Sequence, residues 1–336
     1  MTADTTSPPT RPASPTHEPP AAVRATAVVF VLTVVIAIIA LAFALPAAHT
    51  AARDVPIGAA GPHAASGQIA AMLEQQAPGA FAVTYYPGAD ALRDAIENRD
   101  VYGGFALTPE GPVALIATGG SPMIAQMLTQ IGTGIAEHSG AELRVEDLAP
   151  PTADDPRGAG LAASALPLTL AALLPAVALV FALKREVWTR LAAMVVFSGV
   201  AGVTIAALMR WVLGAIDTNF WGVTAALTLG VLATGMALLG LGSLFGRVGL
   251  ALGALAAVLV GNPLSGLMTG PELLPSGWGQ FGQLLPQGAN ATLLRSAAFF
   301  DGAGAAVPVA VLSCWLAVGT ALVVLAALRQ RRTLAT

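Results

Sequence analysis

Six apolar segments, spaced as one and then five, constrain this 336-residue chain more than any other feature. They cover residues 25–45, 161–183, 191–213, 219–241, 248–267 and 307–328. Each supplies about 20 apolar residues, enough to cross a hydrocarbon core of roughly 30 Å. Gly235, Gly240, Gly242, Gly246 and Gly249 blur the border between the fourth and fifth. Residues 47–160 form a hydrophilic block long enough to fold as a small domain. The spacing predicts a polytopic α-helical membrane protein with six transmembrane helices (1+5). A small extracytoplasmic α/β domain is expected between the first and second. Composition agrees: 10% of residues are charged, where soluble domains carry roughly a quarter.

Charge sets the expected orientation. With the N-terminus inside, the inner segments hold Arg11, Arg24, Lys184, Arg185, Arg190, Arg247, Arg329, Arg331 and Arg332. Only Asp4, Glu18 and Glu186 oppose them there. An excess of Lys and Arg in short loops marks the cytoplasmic face, so both termini are expected inside a plasma (cell) membrane. Residues 1–23 are rich in Pro, Thr, Ala and Ser and are expected to be a disordered cytoplasmic tail. The first span, 24–46, is too long for a signal-peptide core and reads as an uncleaved anchor. Residues 161–328 are expected to form a five-helix bundle, and 329–336 a second cytoplasmic tail.

Within the outer block, apolar periodicity predicts the order βαβαββαβ. Strands are expected at 55–59, 80–86, 101–107, 113–118 and 143–148, with Phe81, Val83 and Tyr85 on one face. A turn is expected around Pro109-Glu110-Gly111. Helices carry Ile69, Met72 and Leu73, then Leu92, Ala95 and Ile96, then Ile124, Met127, Leu128 and Ile131. Ser121 suits the N-cap of the third helix and Pro122 its first position. Asp90, Asp94, Glu97 and Asp100 read as a solvated face. Trp188, Trp211, Trp221 and Trp278 read as interfacial anchors. Trp315 reads as a packing or lipid-facing residue.

The chemistry that is missing narrows the function. No Asp, Glu, His or Lys lies near an expected bilayer midplane, which disfavours a proton-driven carrier. There is no GxxxxGK[ST] loop and no GxSxG, HExxH or SxxK signature, so neither ATP binding nor catalysis is expected. The four histidines are scattered and Cys314 stands alone, so no metal, cofactor or internal disulfide is expected. No basic run points to nucleic acid.

Residues 262–304, between the fifth and sixth segments, are half-apolar and broken by Pro263, Pro271, Pro275 and Pro286. They read as a re-entrant or interfacial segment, or as an ordinary outer loop with amphipathic anchoring. A short amphipathic helix is expected over 287–300, carrying Leu293, Leu294, Ala297 and Phe300, with Arg295 on another side.

The one-plus-five layout, the run AIENRDVYGGFAL and the run NPLSG…PELLPSGW…LLPQG…LLR together resemble ABC-2-type export permeases. They resemble especially the YhgE/Pip-like membrane proteins with a large extracytoplasmic insertion after the first span. The resemblance implies a homo- or heterodimeric permease in the lipid bilayer, not an enzyme, that works with a separate ABC ATPase and moves amphipathic or polymeric substrates outward. On that basis Lys184, Arg185, Glu186 and Arg190 form the candidate ATPase-coupling turn. Asn262, Pro263, Trp278, Pro286 and Arg295 mark the candidate outer exit segment. The inner turn Lys-Arg-Glu-Val-Trp-Thr-Arg spans only about two helical turns, shorter than the family's coupling helix. A non-transporting scaffold or receptor, acting through its outer domain, is the alternative.

Overall fold

A computed structural model describes residues 20–335 apart from 109, 110, 141 and 185, without the side chains of 63–65, 138, 139 and 333–335. The expected tail up to residue 19, the turn tip at Pro109-Glu110 and Arg185 of the inner turn therefore lie outside the described residues. The chain divides into two compact units, up to Leu41 and from Ala42 on. Helix α1 (Ala21–Ala48) begins within the stretch expected to be tail. It is apolar all round, as a lipid-facing helix must be. Its Thr26 and Thr33 hydroxyls donate to carbonyls four residues back, so they need no water.

In the second unit, β1 (Val55–Ala60), α2 (His63–Gln76), β2 (Phe81–Tyr86), α3 (Ala89–Glu97), β3 (Gly103–Thr108), β4 (Gly111–Ile116), α4 (Pro122–Ser139) and β5 (Arg144–Asp147) follow the order read from the sequence. They build a five-stranded sheet ordered β2-β1-β3-β4-β5. Only the β3–β4 hairpin is antiparallel. On one face, Val55, Ile57 and Ala59 pack with Ile69 and Leu73 of α2 and Ile124 and Leu128 of α4. On the other, Leu92, Ala95 and Ile96 of α3 pack against Ala106, Val113 and Leu115. Helices thus cover both faces, as crossover connections between parallel strands require. Ser121 caps α4 as expected, its Oγ accepting from the Ile124 amide at 3.3 Å, with Pro122 next. Phe81, Val83 and Tyr85 share one face of β2 as expected, with Tyr85 half exposed because β2 is the edge strand.

The bundle comprises α5 (Ala159–Ala163), α6 (Ala165–Ala182), α7 (Val187–Trp211), α8 (Phe220–Ala256) and α11 (Ala306–Ala335), with two further helices described below. Helix α8 is central, touching α6, α7 and α11. Helix α11 continues through the segment expected to be a C-terminal tail.

Among the described residues five helices, not six, are long and apolar enough to cross a membrane. The difference lies in α8. Gly246, at φ 65° and ψ −147°, breaks its helical path, and the chain folds back there. A Cβ on Gly249 would lie 2.5 Å from the Leu241 carbonyl oxygen, and one on Gly253 2.8 Å from Leu241. In a straight helix residues 241 and 253 would stand about 18 Å apart, so the two arms are antiparallel. The glycine pairs with GxxxG spacing here seal the hairpin, where small residues allow close approach.

The return arm loosens into a π-helical turn at Ala257–Gly261 and stops. From Gly246 it is about 22 Å long at 1.5 Å per residue, short of a hydrocarbon core. The expected fifth span, 248–267, is therefore a shortened arm followed by irregular chain.

Candidate functional site

That irregular chain meets the α/β domain. After the return arm come a 3₁₀ turn at Pro271–Leu273, α9 (Trp278–Gln283) and α10 (Pro286–Phe299). Leu273 inserts into the core on the α2/α4 face of the sheet, while Phe299 and Phe300 pack against the α3 face. The segment thus grips the domain from both sides. Backbone pairing adds to this: the Ala51 amide donates to the Leu273 carbonyl at 3.1 Å, and Ser121 Oγ donates to the Thr269 carbonyl at 2.6 Å.

The two sequence runs that carried the resemblance converge here. Tyr102 donates its hydroxyl proton to Glu272 Oε2 at 2.6 Å. Burial, followed by the Glu272 charge, pushes the Tyr102 phenol well above its ordinary range, so it remains a donor. Arg99 Nη1 donates to the Thr292 carbonyl at 3.0 Å and to Ser296 Oγ at 2.5 Å. Its guanidinium also lies 5.1 Å from the centre of the Phe300 ring, within cation–π range. Burial lowers the Arg99 pKa, against weaker upward pulls from Tyr102 and Glu272.

Local backbone chemistry explains how Arg99 is aimed. Helix α3 ends in a Schellman motif, with the Arg99 amide bonded to the Ile96 carbonyl and the Asp100 amide to that of Ala95. Glycine is usual at such a left-handed position, yet Arg99 occupies it at φ 64°. The strain costs an L-residue roughly 1–2 kcal/mol. The bonds to α10 offset it, a pattern found where a side chain is held for function.

Arg295 is the main correction at the exit segment. It is 3% exposed, and Nη2 donates to the carbonyls of Gly266 at 3.0 Å and Leu267 at 2.5 Å. Helix α10 is buried nearly all round rather than amphipathic. Its many Ala and Gly residues let every face approach a neighbour, so Arg295 pins the irregular 266–267 backbone from inside. The other exit residues scatter. Pro286 starts α10 and is buried, and Trp278 is 40% exposed at the start of α9. Asn262 accepts from the Thr169 hydroxyl of α6 at 2.7 Å, with half-buried Pro263 beside it.

These parts line a half-open cavity of about 280 Å³. Arg99, Tyr102, Glu272, Gln283 and Thr292 give it polar points, while Val101, Phe300, Val307 and Pro308 contribute apolar wall. Val307 and Pro308 belong to the first turn of α11, a candidate span. Deeper in the bundle, a second space of about 20 Å³ is lined by Thr169, Thr234, Asn262, Ser265 and Asn290. Asn290 Oδ1 is buried there without a protein partner.

The candidate coupling turn is only partly available for docking. Lys184 and Glu186 are exposed. Arg190 instead turns inward, 5% exposed, donating through Nε to the Leu183 carbonyl at 2.7 Å and through Nη1 to Ser243 Oγ at 3.0 Å. It ties the turn to the far end of the α8 hairpin. The tryptophans expected as anchors are exposed, Trp211 and Trp221 most of all. Trp315 packs inward enough for its indole to donate to the Leu284 carbonyl at 2.8 Å. Asp90, Asp94, Glu97 and Asp100 are exposed. Compared with family models, characterised proteins and solved structures, the chain has no match.

Proposed function

We propose that this chain is a non-enzymatic, permease-type subunit of an ABC-2-like export system in the plasma membrane, driven by a separate ATPase. Its substrate would be a small amphipathic molecule passed outward past the junction cavity. One observation carries this reading. The α/β domain and the broken 262–304 segment, far apart in sequence, jointly build one part-polar, part-apolar cavity at the head of a candidate span. Ligand pockets usually measure about 300–1,000 Å³, so the volume favours a small amphiphile over a polymer. The shortened arm, completed by irregular chain and α10, makes the sixth crossing in this reading. Broken helices of this kind are tolerated at membrane depth where protein or a cavity surrounds them.

The inward-turned Arg190 favours a second reading, a receptor or scaffold without an ATPase, because it removes a cation from the coupling turn. Isolation of the full chain in mild detergent separates the two. The permease reading predicts a co-purifying nucleotide-binding subunit and loss of that partner on reversing Lys184 to Glu. Recovery of no ATPase, with export unchanged by Lys184→Glu, would leave the receptor reading.

A further inference from the structure

We propose that the junction cavity binds an amphiphile by an anionic head, a carboxylate or phosphate held by Arg99, with its apolar body directed toward the first turn of α11. This rests on reading the junction as the substrate site and adds the charge of the head group. The first ground is unused donor capacity. A guanidinium carries five N–H groups in a planar fork, and Arg99 commits only Nη1 to protein acceptors. Its Nε and Nη2 have no acceptor among the described residues, and Arg99 lines the cavity. A planar fork with free N–H groups matches carboxylate and phosphate oxygens in a way a lysine ammonium does not.

The second ground is the charge balance. Arg99 and Arg295 face a single carboxylate, Glu272, with Tyr102 neutral between them. Among the described residues neither arginine forms an ion pair with Glu272. Glu272 instead accepts from Tyr102. The group of Arg99, Arg295 and Glu272 therefore holds one more positive than negative charge, with Arg295 itself buried, and a buried surplus charge is costly unless it is neutralised.

Wall chemistry supplies the third ground. Pro56, Val101, Ala117, Phe300, Val307 and Pro308 line the remainder, and Val307 is 72% exposed at the start of a candidate span. A free inorganic anion would leave this apolar wall unused.

The test uses the full chain in nanodiscs of neutral phosphatidylcholine, titrated with octyl phosphate, octanoate, octanol, octylamine and inorganic phosphate. Octyl phosphate and octanoate are expected to bind saturably, one per chain. Arg99→Gln should weaken both at least tenfold, with partial recovery in Arg99→Lys. Glu272→Gln keeps an acceptor for Tyr102 while removing the opposing charge, and it should tighten anion binding several-fold. That variant keeps the proposal falsifiable if Arg99→Gln does not fold. Octanol binding as tightly as octyl phosphate would overturn the anionic head, as would weaker binding in Glu272→Gln. Inorganic phosphate binding as tightly as octyl phosphate would overturn the amphiphile. Anion binding with no ATPase and no export would uphold this inference while removing the permease reading.

Discussion

Single side chains decide how the parts of this molecule are held, and their charges are used very differently. Arg93 on α3 meets Glu146 on β5 in a two-pronged pair, with Nε and Nη2 at 3.1 and 3.0 Å from the two carboxylate oxygens. The hydrogen bond from Arg93 holds the Glu146 carboxyl below its ordinary range. The contribution is therefore fully present above the unfolded glutamate value of about 4.3 and is lost as pH falls through the lower folded value. Both side chains are partly exposed, so the pair is worth at most about 1 kcal/mol. The melting temperature of Arg93→Gln should lie slightly below wild type from neutral pH down to about 4.5, and the gap should close in more acid solution. A gap unchanged at strongly acid pH would contradict this role. Arg99 and Arg295 work differently, with backbone carbonyls and hydroxyls as partners. Nothing in local periodicity reveals that. Arg295 sits in a run of Ala, Leu and Ser whose 3.6-residue pattern sets it apart from the apolar face, whereas the packed segment buries it. The one sequence signal at Arg99 was available: a helix ending in Asn-Arg-Asp, without the usual glycine.

At the scale of elements, short-range chemistry was legible and reversals were not. The βαβαββαβ order, the Ser121 cap and the buried faces of α2, α3 and α4 follow from alternation, helical spacing and cap chemistry within a few residues. The α8 hairpin does not, because apolar character runs through it without interruption. Only the crowd of glycines near Gly246 marked the border as uncertain. Gly246→Ala tests the reversal. A residue with a Cβ at φ 65° and ψ −147° is strained by about 1–3 kcal/mol, so the variant should melt several degrees lower. An unchanged melt would argue for a straight α8. Close helix contact sets a second demand. A Cβ on Gly319 of α11 would lie 2.5 Å from the Met236 carbonyl carbon of α8, while one on Gly199 of α7 meets nothing within 4 Å. Gly319→Leu should destabilise the bundle by about 1–3 kcal/mol through overpacking, with Gly199→Ala neutral or slightly stabilising. Equal effects from the two substitutions would contradict the α8–α11 crossing.

At the scale of the whole molecule, the α/β domain and the bundle belong to one compact unit from Ala42 on. The interrupted 262–304 segment is the joint. It supplies Leu273 to one face of the sheet and Phe299 and Phe300 to the other. Any ligand in the junction cavity would therefore touch the domain, the broken segment and the last span together. In the permease reading, a shift of the α8 hairpin would reach this joint through α10, which packs on α8. Asn219 reinforces that link at the start of α8, donating to the Ala297 carbonyl at 2.8 Å. The domain is locked to the bundle by contacts between residues 148–197 positions apart, Tyr102 and Glu272 foremost. A double-mutant cycle on thermal stability, using Tyr102→Phe, Glu272→Gln and the pair, measures that lock directly. Coupling of about 1–3 kcal/mol is predicted, as for a buried hydrogen bond to a charged group. Effects that add to within about 0.5 kcal/mol would show the two side chains to be independent and the domain not to be locked through them.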